Sequence, residues 1–324
     1  DEGGVAVLSR RAPARHGRRF AIACALLLAI SAGACFFVWR HVRAHVLADS
    51  QYQVQPEQVY VTRPPGWIRA DVKAEVLRDV TRAGPLSLLD DDLTVRLAGA
   101  FAAHPWVARV DRVSKHFPSG VDVIVAYRVP VAMVEVQNGQ GVLPIDELGV
   151  VLPTRDDAGK PNFSSQEAEI YPRIAEIHTM PAGPVGTRWG DASVVGAAQI
   201  AAALADHWKP LNLARIVPVE RKPARSGVEY TYALVTKTGT MVFWGRAPGT
   251  DAGGEVPAAE KIAQLTRYAK QNGGALDGPD GPQQIEIDRR GALLQKVRPA
   301  VPPLPPTDAE PTDKEPDPSQ EPID

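Results

Sequence analysis

The chain has 324 residues, 44% hydrophobic and 23% charged, with a formal net charge of −2. That balance excludes a fibrous chain and suits one or two ordinary folded domains. Five arginines against Asp1 and Glu2 leave residues 1–19 basic, and seven acids against Lys314 leave residues 299–324 acidic. The remainder is nearly neutral and lacks the concentrated basic face of a nucleic-acid binder, so that class is set aside.

Residues 1–19 are read as a basic cytoplasmic segment, and residues 20–39 as a transmembrane helix. The twenty residues from Phe20 to Trp39 carry no charge and no proline. At 1.5 Å per residue they span roughly 30 Å, about the thickness of a bilayer's hydrocarbon core. Arg10, Arg11, Arg15, Arg18 and Arg19 precede the run, while only Arg40 and Arg43 follow closely. The positive-inside bias then puts the amino terminus in the cytoplasm and the rest outside. The competing reading is a cleaved signal peptide, since Ala32 and Ala34 form an A-x-A pattern and Cys35 resembles a lipoprotein cysteine. Against it, the apolar run continues through Phe36, Phe37, Val38 and Trp39, and Ala32 stands where a lipoprotein signal favours Leu. The chain opens at Asp1 without Met, so the cytoplasmic segment is not taken as complete. Cys24 and Cys35 both fall inside the run, leaving the exported part without a disulfide or a cysteine metal site.

Residues 40–57 read as a stalk. His41 and His45 stand four apart on one helix face, but no third ligand is near, and solvated histidines are the simpler account. No metal site is expected anywhere.

Residues 58–130 read as an α+β module of order β-α-α-β-β. A short strand at Val59-Tyr60-Val61 precedes an amphipathic helix buried through Val72, Val76, Leu77 and Val80, capped by Asp71 and stopped at Gly84-Pro85. A second helix follows Asp90, with Leu93, Leu97 and Phe101 in one stripe. The three acids Asp90, Asp91 and Asp92 fit capping at its positive dipole end better than metal binding. Strands Val107–Lys115 and Val121–Tyr127 alternate, with Val121, Val123 and Val125 on one face and Asp122 and Ile124 on the other. A sheet this small needs both helices on one face to close a core.

Leu86-Ser87-Leu88-Leu89-Asp90, His104-Pro105-Trp106-Val107, Phe117-Pro118 and Arg128-Val129-Pro130-Val131-Ala132, in this order of elements, resemble the polypeptide-transport-associated (POTRA) domain of the FtsQ/DivIB cell-division family. The stretch from Leu143 to Leu152 is similar to that family's link into its second domain, with Gly149 in a tight turn. Residues 131–298 resemble its β-domain. There, Asp191 or Ser193 caps a helix buried through Val194, Ala197, Ala201 and Leu204, and strands are expected at Leu213–Val219, Val228–Val235 and Thr240–Trp244. A helix with Pro257 near its start carries Ala258, Ile262, Leu265 and Ala269, and strands Gln283–Asp288 and Ala292–Val297 finish the fold. The sequence departs from the family at Val61–Gly66, at Tyr127 in place of a glutamate, and at Glu286-Ile287-Asp288 in place of an aspartate-leucine-arginine triplet. Trp67, Trp189 and Trp208 suit either binding surface or core. Residues 299–324, with nine prolines and seven acids, cannot bury a core and are expected to be extended and disordered.

No catalytic residue and no cofactor is expected. His104, His116, His178 and His207 are scattered, and there is no G-x-S-x-G, H-E-x-x-H or P-loop pattern. The resemblance implies a non-enzymatic, inner-membrane, single-pass scaffold at the division septum. It implies partners that are small single-pass coiled-coil proteins of the FtsB/FtsL or DivIC kind, with indirect recruitment or regulation of the septal peptidoglycan synthase. It also implies that the last sheet edge accepts a partner strand, so Ile285, Ile287, Leu293, Gln295 and Val297 are the candidate partner-binding residues. These residues equally suit a role in finishing the domain core. The alternative function is a POTRA-containing envelope protein that handles polypeptides in secretion or outer-membrane assembly. Against it, no repeat of alternating barrel strands follows.

Overall fold

A computed structural model describes residues 15–47, 52–136, 141–156, 158–220, 230–249, 256–278, 281–287 and 293–297. It is a mixed α+β protein with one long apolar helix at its amino-terminal end. That helix, α1 (Arg15–Leu47), contains the stretch Cys24–Val42, which is long and apolar enough to cross a membrane. The helix therefore runs past Trp39, as the His41–His45 segment suggests. The chain divides into two compact units, one of residues 1–129 with 152–164, which includes α1, and one of residues 130–151 with 165–324.

In the first unit, β1 (Val59–Val61), α2 (Val72–Arg82), α3 (Leu93–Ala103), β2 (Val107–His116) and β3 (Gly120–Tyr127) build a three-stranded sheet of order β1-β3-β2. The two helices lie between β1 and β3 in the chain, which allows these strands to pair in parallel, whereas β2 and β3 form an antiparallel hairpin. The helices bury Val72, Val76, Leu77, Val80, Leu93, Leu97 and Phe101 with Val59, Val107, Val121, Val123 and Val125. The Asp71 carboxylate accepts from the Ala74 amide at 3.0 Å and caps α2. Asp90 accepts from the Asp92 amide and pairs with Arg96 at 2.8 Å, so it shapes the turn into α3.

The His104-Pro105-Trp106-Val107 junction is a packing device. Nδ1 of His104 accepts the Trp106 amide at 3.2 Å, which leaves the ring proton on Nε2, 3.0 Å from Glu75 on α2. The turn after α3 is thereby tied to α2, and Trp106 is held in the core. Residues 152–164, which follow the second unit's first strands in the chain, pack here. Leu152 is fully buried in this core, and the Phe163 ring stands 6.3 Å from that of Trp106.

In the second unit, β4 (Ala132–Glu135), β5 (Val142–Ile145), the short helix α4 (Ser165–Ala168), β6 (Arg173–Ile174), α5 (Ala192–Ala203), β7 (Leu213–Glu220), β8 (Tyr230–Thr236), β9 (Met241–Gly245), α6 (Ala258–Gln271), β10 (Gln283–Ile287) and β11 (Leu293–Val297) follow in order. The strands form one sheet of order β11-β10-β9-β8-β7-β6-β4-β5. Helices α5 and α6 share a core with one sheet face, through Val194, Ala197, Ala201 and Leu265 against Ile174, Ile216, Leu234 and Val242. Sheet and helix approach closely at Gly196, where an added Cβ would collide with the Tyr232 hydroxyl. Gly149 adopts φ +71° in the turn after β5, and the Asp146 carboxylate accepts there from the amides of Leu148 and Val150. Trp189 and Trp208 belong to this core, whereas Trp67 in the first unit stays 37% exposed and donates to the Arg128 carbonyl.

Of the two caps considered for α5, the structure selects Asp191. Its carboxylate accepts from the Ser193 amide and hydroxyl at 2.8 and 2.7 Å and from the Thr179 hydroxyl at 2.7 Å. Burial works against its charge, but these hydrogen bonds outweigh that and hold the carboxyl below its ordinary 3.8. The Asp191→Ala variant should lose about 1 kcal/mol of stability at neutral pH, typical of a lost cap. Because the folded value lies below the unfolded one, the ionised cap contributes fully above about pH 4 and loses its effect as pH falls through the folded value. Urea unfolding of both proteins across that range should therefore converge in acid.

Candidate partner-binding edge

The five candidate residues lie on the last two strands of the eight-stranded sheet. In the β10–β11 register Ile285 faces Gln295, Ile287 faces Leu293 and Val297 faces Gln283. The fold thus gathers all five into one antiparallel ribbon. They are not equivalent, because Ile285 is 1% exposed and Ile287 half-buried against the core. The Ile285 side chain finishes the core and its strand has neighbours on both sides, so that residue bears on the edge only by holding β11 in place.

Strand β11 ends the sheet, paired to β10 on one side and, among the described residues, to nothing on the other. An edge strand presents free backbone donors and acceptors at strand spacing, and this pattern recognises another extended chain. The opposite edge differs. Strand β5 has four residues and includes Pro144, which supplies no amide hydrogen. Strand β11 has five residues, Leu-Leu-Gln-Lys-Val, and no proline.

A buried polar network holds β10, and through it β11, in register. The Asp277 carboxylate, in the loop after α6, accepts from the Thr240 hydroxyl at 2.6 Å and the Thr236 hydroxyl at 3.1 Å. The Thr236 hydroxyl accepts from the Thr240 amide, and the Thr240 hydroxyl accepts from the Gln283 amide at 3.1 Å. The Gln283 side-chain amide then donates to the Tyr268 hydroxyl and the Leu276 carbonyl, both at 2.6 Å. Thr236, Thr240 and Gln283 are 2% exposed or less, so these bonds act where an unmade one is costly. Helix α6 is clamped nearby, where buried Lys261 donates to the Trp244 carbonyl at 2.7 Å and lies 4.9 Å from the centre of that indole ring.

Little in the sequence marks this network. Two threonines flanking the Lys237-Thr238-Gly239 turn were a local sign, but Asp277 lies far along the chain and only the fold joins them. Other polar groups stay apart. His116 pairs with Asp122 at the hairpin mouth and His104 with Glu75. Among the described residues, no three His, Cys, Asp or Glu side chains are placed to hold a metal ion. The arrangement leaves β11 as an end strand with no outer neighbour among the described residues.

No protein-family model matches this chain, and no curated protein matches it.

Replacing Thr240 by Val keeps the volume but removes a donor to Asp277 and an acceptor for Gln283. The expected cost is about 1–3 kcal/mol. Amide exchange in β10 and β11 should quicken more than in β4 and β6, and uniform quickening would argue against a local clasp.

Proposed function

We propose that this protein is a membrane-tethered, non-enzymatic scaffold of the bacterial division machinery, whose second unit captures a small single-pass partner by adding that partner's strand to β11. The observation that carries the proposal is a proline-free strand at one end of the sheet with no outer neighbour among the described residues, while the other end is blunted by Pro144 and the Ile145–Val151 bridge. The resemblance of the β-α-α-β-β module and of the later elements to the FtsQ/DivIB family supports the division role. The apolar stretch Cys24–Val42 supports a single-pass anchor, with the arginines ahead of it favouring a cytoplasmic amino terminus. Such an anchor confines the sheet edge to a layer beside the membrane, where modest affinities become effective.

Along an edge strand, successive amides point alternately toward the neighbour and away from it. Of Leu294 and Gln295, one therefore directs its amide outward. Proline at that position should remove a partner contact and reduce capture by at least about tenfold. Proline at the other should also weaken the β10–β11 pairing, visible as a lower melting temperature. Full-length protein in detergent, tested against co-expressed single-pass division proteins, distinguishes the outcomes. Undiminished capture by both variants would refute strand addition. In cells, depletion should give filaments with failed septa, whereas misassembled envelope proteins with normal septa would refute the division role.

A further inference from the structure

The second unit holds a cleft of about 1290 Å³ beside β4, β6 and β7 that strand addition at β11 leaves unused. Arg173, Lys209, Arg215 and Lys237 line it, against the carboxylates of Glu135 and Glu169. Arg173 and Arg215 are direct cross-strand partners, a like-charge pairing that costs stability unless an anion lies between them. Among the described residues, none of the four cations has an ion-pair partner. Half-buried Tyr171 adds aromatic surface to the lining, the kind of wall that prolines pack against.

The register also shows where the chain leaves β11. Val297 faces Gln283, the Gln283 amide donates to Thr240, and Thr240 closes the turn that carries Lys237. Leu213, at the start of β7 and in the cleft wall, pairs with Thr236 at the same end of the sheet. The carboxy-terminal segment therefore starts at the cationic end of the sheet, four strand positions from β7. Four strand spacings amount to roughly 19 Å. Pro299–Pro306 has five prolines in eight residues, and eight residues of polyproline II geometry span about 25 Å. The acids begin directly after this spacer, at Asp308, Glu310 and Asp313.

We infer that the cationic cleft is the docking site for the chain's own acidic, proline-rich segment, residues 307–324, with 299–306 as the spacer that reaches it. Charge complementarity and the point of exit both favour this occupant, and the tether raises its local concentration above that of a free competitor. The inference goes beyond the division reading and stands whether or not that reading holds.

The test uses the full-length protein in detergent, with a photoreactive benzoylphenylalanine at Pro316 or, separately, at Ile323. Irradiation should give intramolecular adducts on residues 166–173 and 208–215 or on Lys237. Their yield should fall about tenfold between low salt and 0.5 M salt, as the charges are screened. The combined variant Lys209→Glu, Arg215→Glu and Lys237→Glu should lose the adducts while still unfolding cooperatively, since these side chains are exposed. Adding Asp308→Lys, Glu310→Lys and Asp313→Lys to it should restore them. Adducts elsewhere on the chain, adducts only with a second copy, or a yield indifferent to salt and charge reversal would each overturn the inference.

Discussion

An open sheet leaves the backbone groups of its outermost strands without partners, and that constraint governs the second unit. At β5 it is met by shortness, by Pro144 and by the bridge from Ile145 to Val151; at β11, among the described residues, it is left unmet. An unmet edge is useful only if it keeps its shape. The bonds linking Asp277, Thr236, Thr240 and Gln283 fix the start of β10 to the turn before β9, and the β10–β11 pairing passes that register to the last strand. Because these groups are buried, breaking one bond forfeits its solvation as well, which opposes any slip of that register.

The same logic runs through the first unit on a smaller scale. A three-stranded sheet with two helices has little core, so each junction must do more than connect. His104 fixes the turn after α3 to Glu75 on α2, and Trp106 fills the space behind it. Residues 152–164 enlarge that core with Leu152 and Phe163. The chain thus passes back into the first unit after beginning the second, and neither unit is a single continuous stretch.

Local physics made much of this legible beforehand. Caps, helix stripes and the alternation of Val121, Val123 and Val125 depend on near neighbours, and these elements lie within a few residues of their expected positions. Strand β6, with two residues, carries too little pattern to be read, β5 falls largely in the Leu143–Leu152 stretch that resembles an interdomain link, and β4 lies unmarked ahead of it. The return of residues 152–164 to the first core was also invisible, because Leu152 looks the same whichever core receives it. The five candidate edge residues were readable as one terminal ribbon, but not the division between Ile285 in the core and the strand beyond it. The clasp around Asp277 and the buried Lys261 over Trp244 join residues far apart in sequence, so no local period announces them.

We propose that a partner chain pairs at β11. Photocrosslinkers placed one at a time along Leu293–Val297 in living cells, with adducts identified by mass spectrometry, address it directly. Strand pairing predicts adducts with one small single-pass protein that shift along that protein's sequence in reverse order, or in the same order for parallel pairing, as the probe moves along β11. Adducts without such an ordered register, or none from this strand while probes on β5 capture a partner, would contradict it.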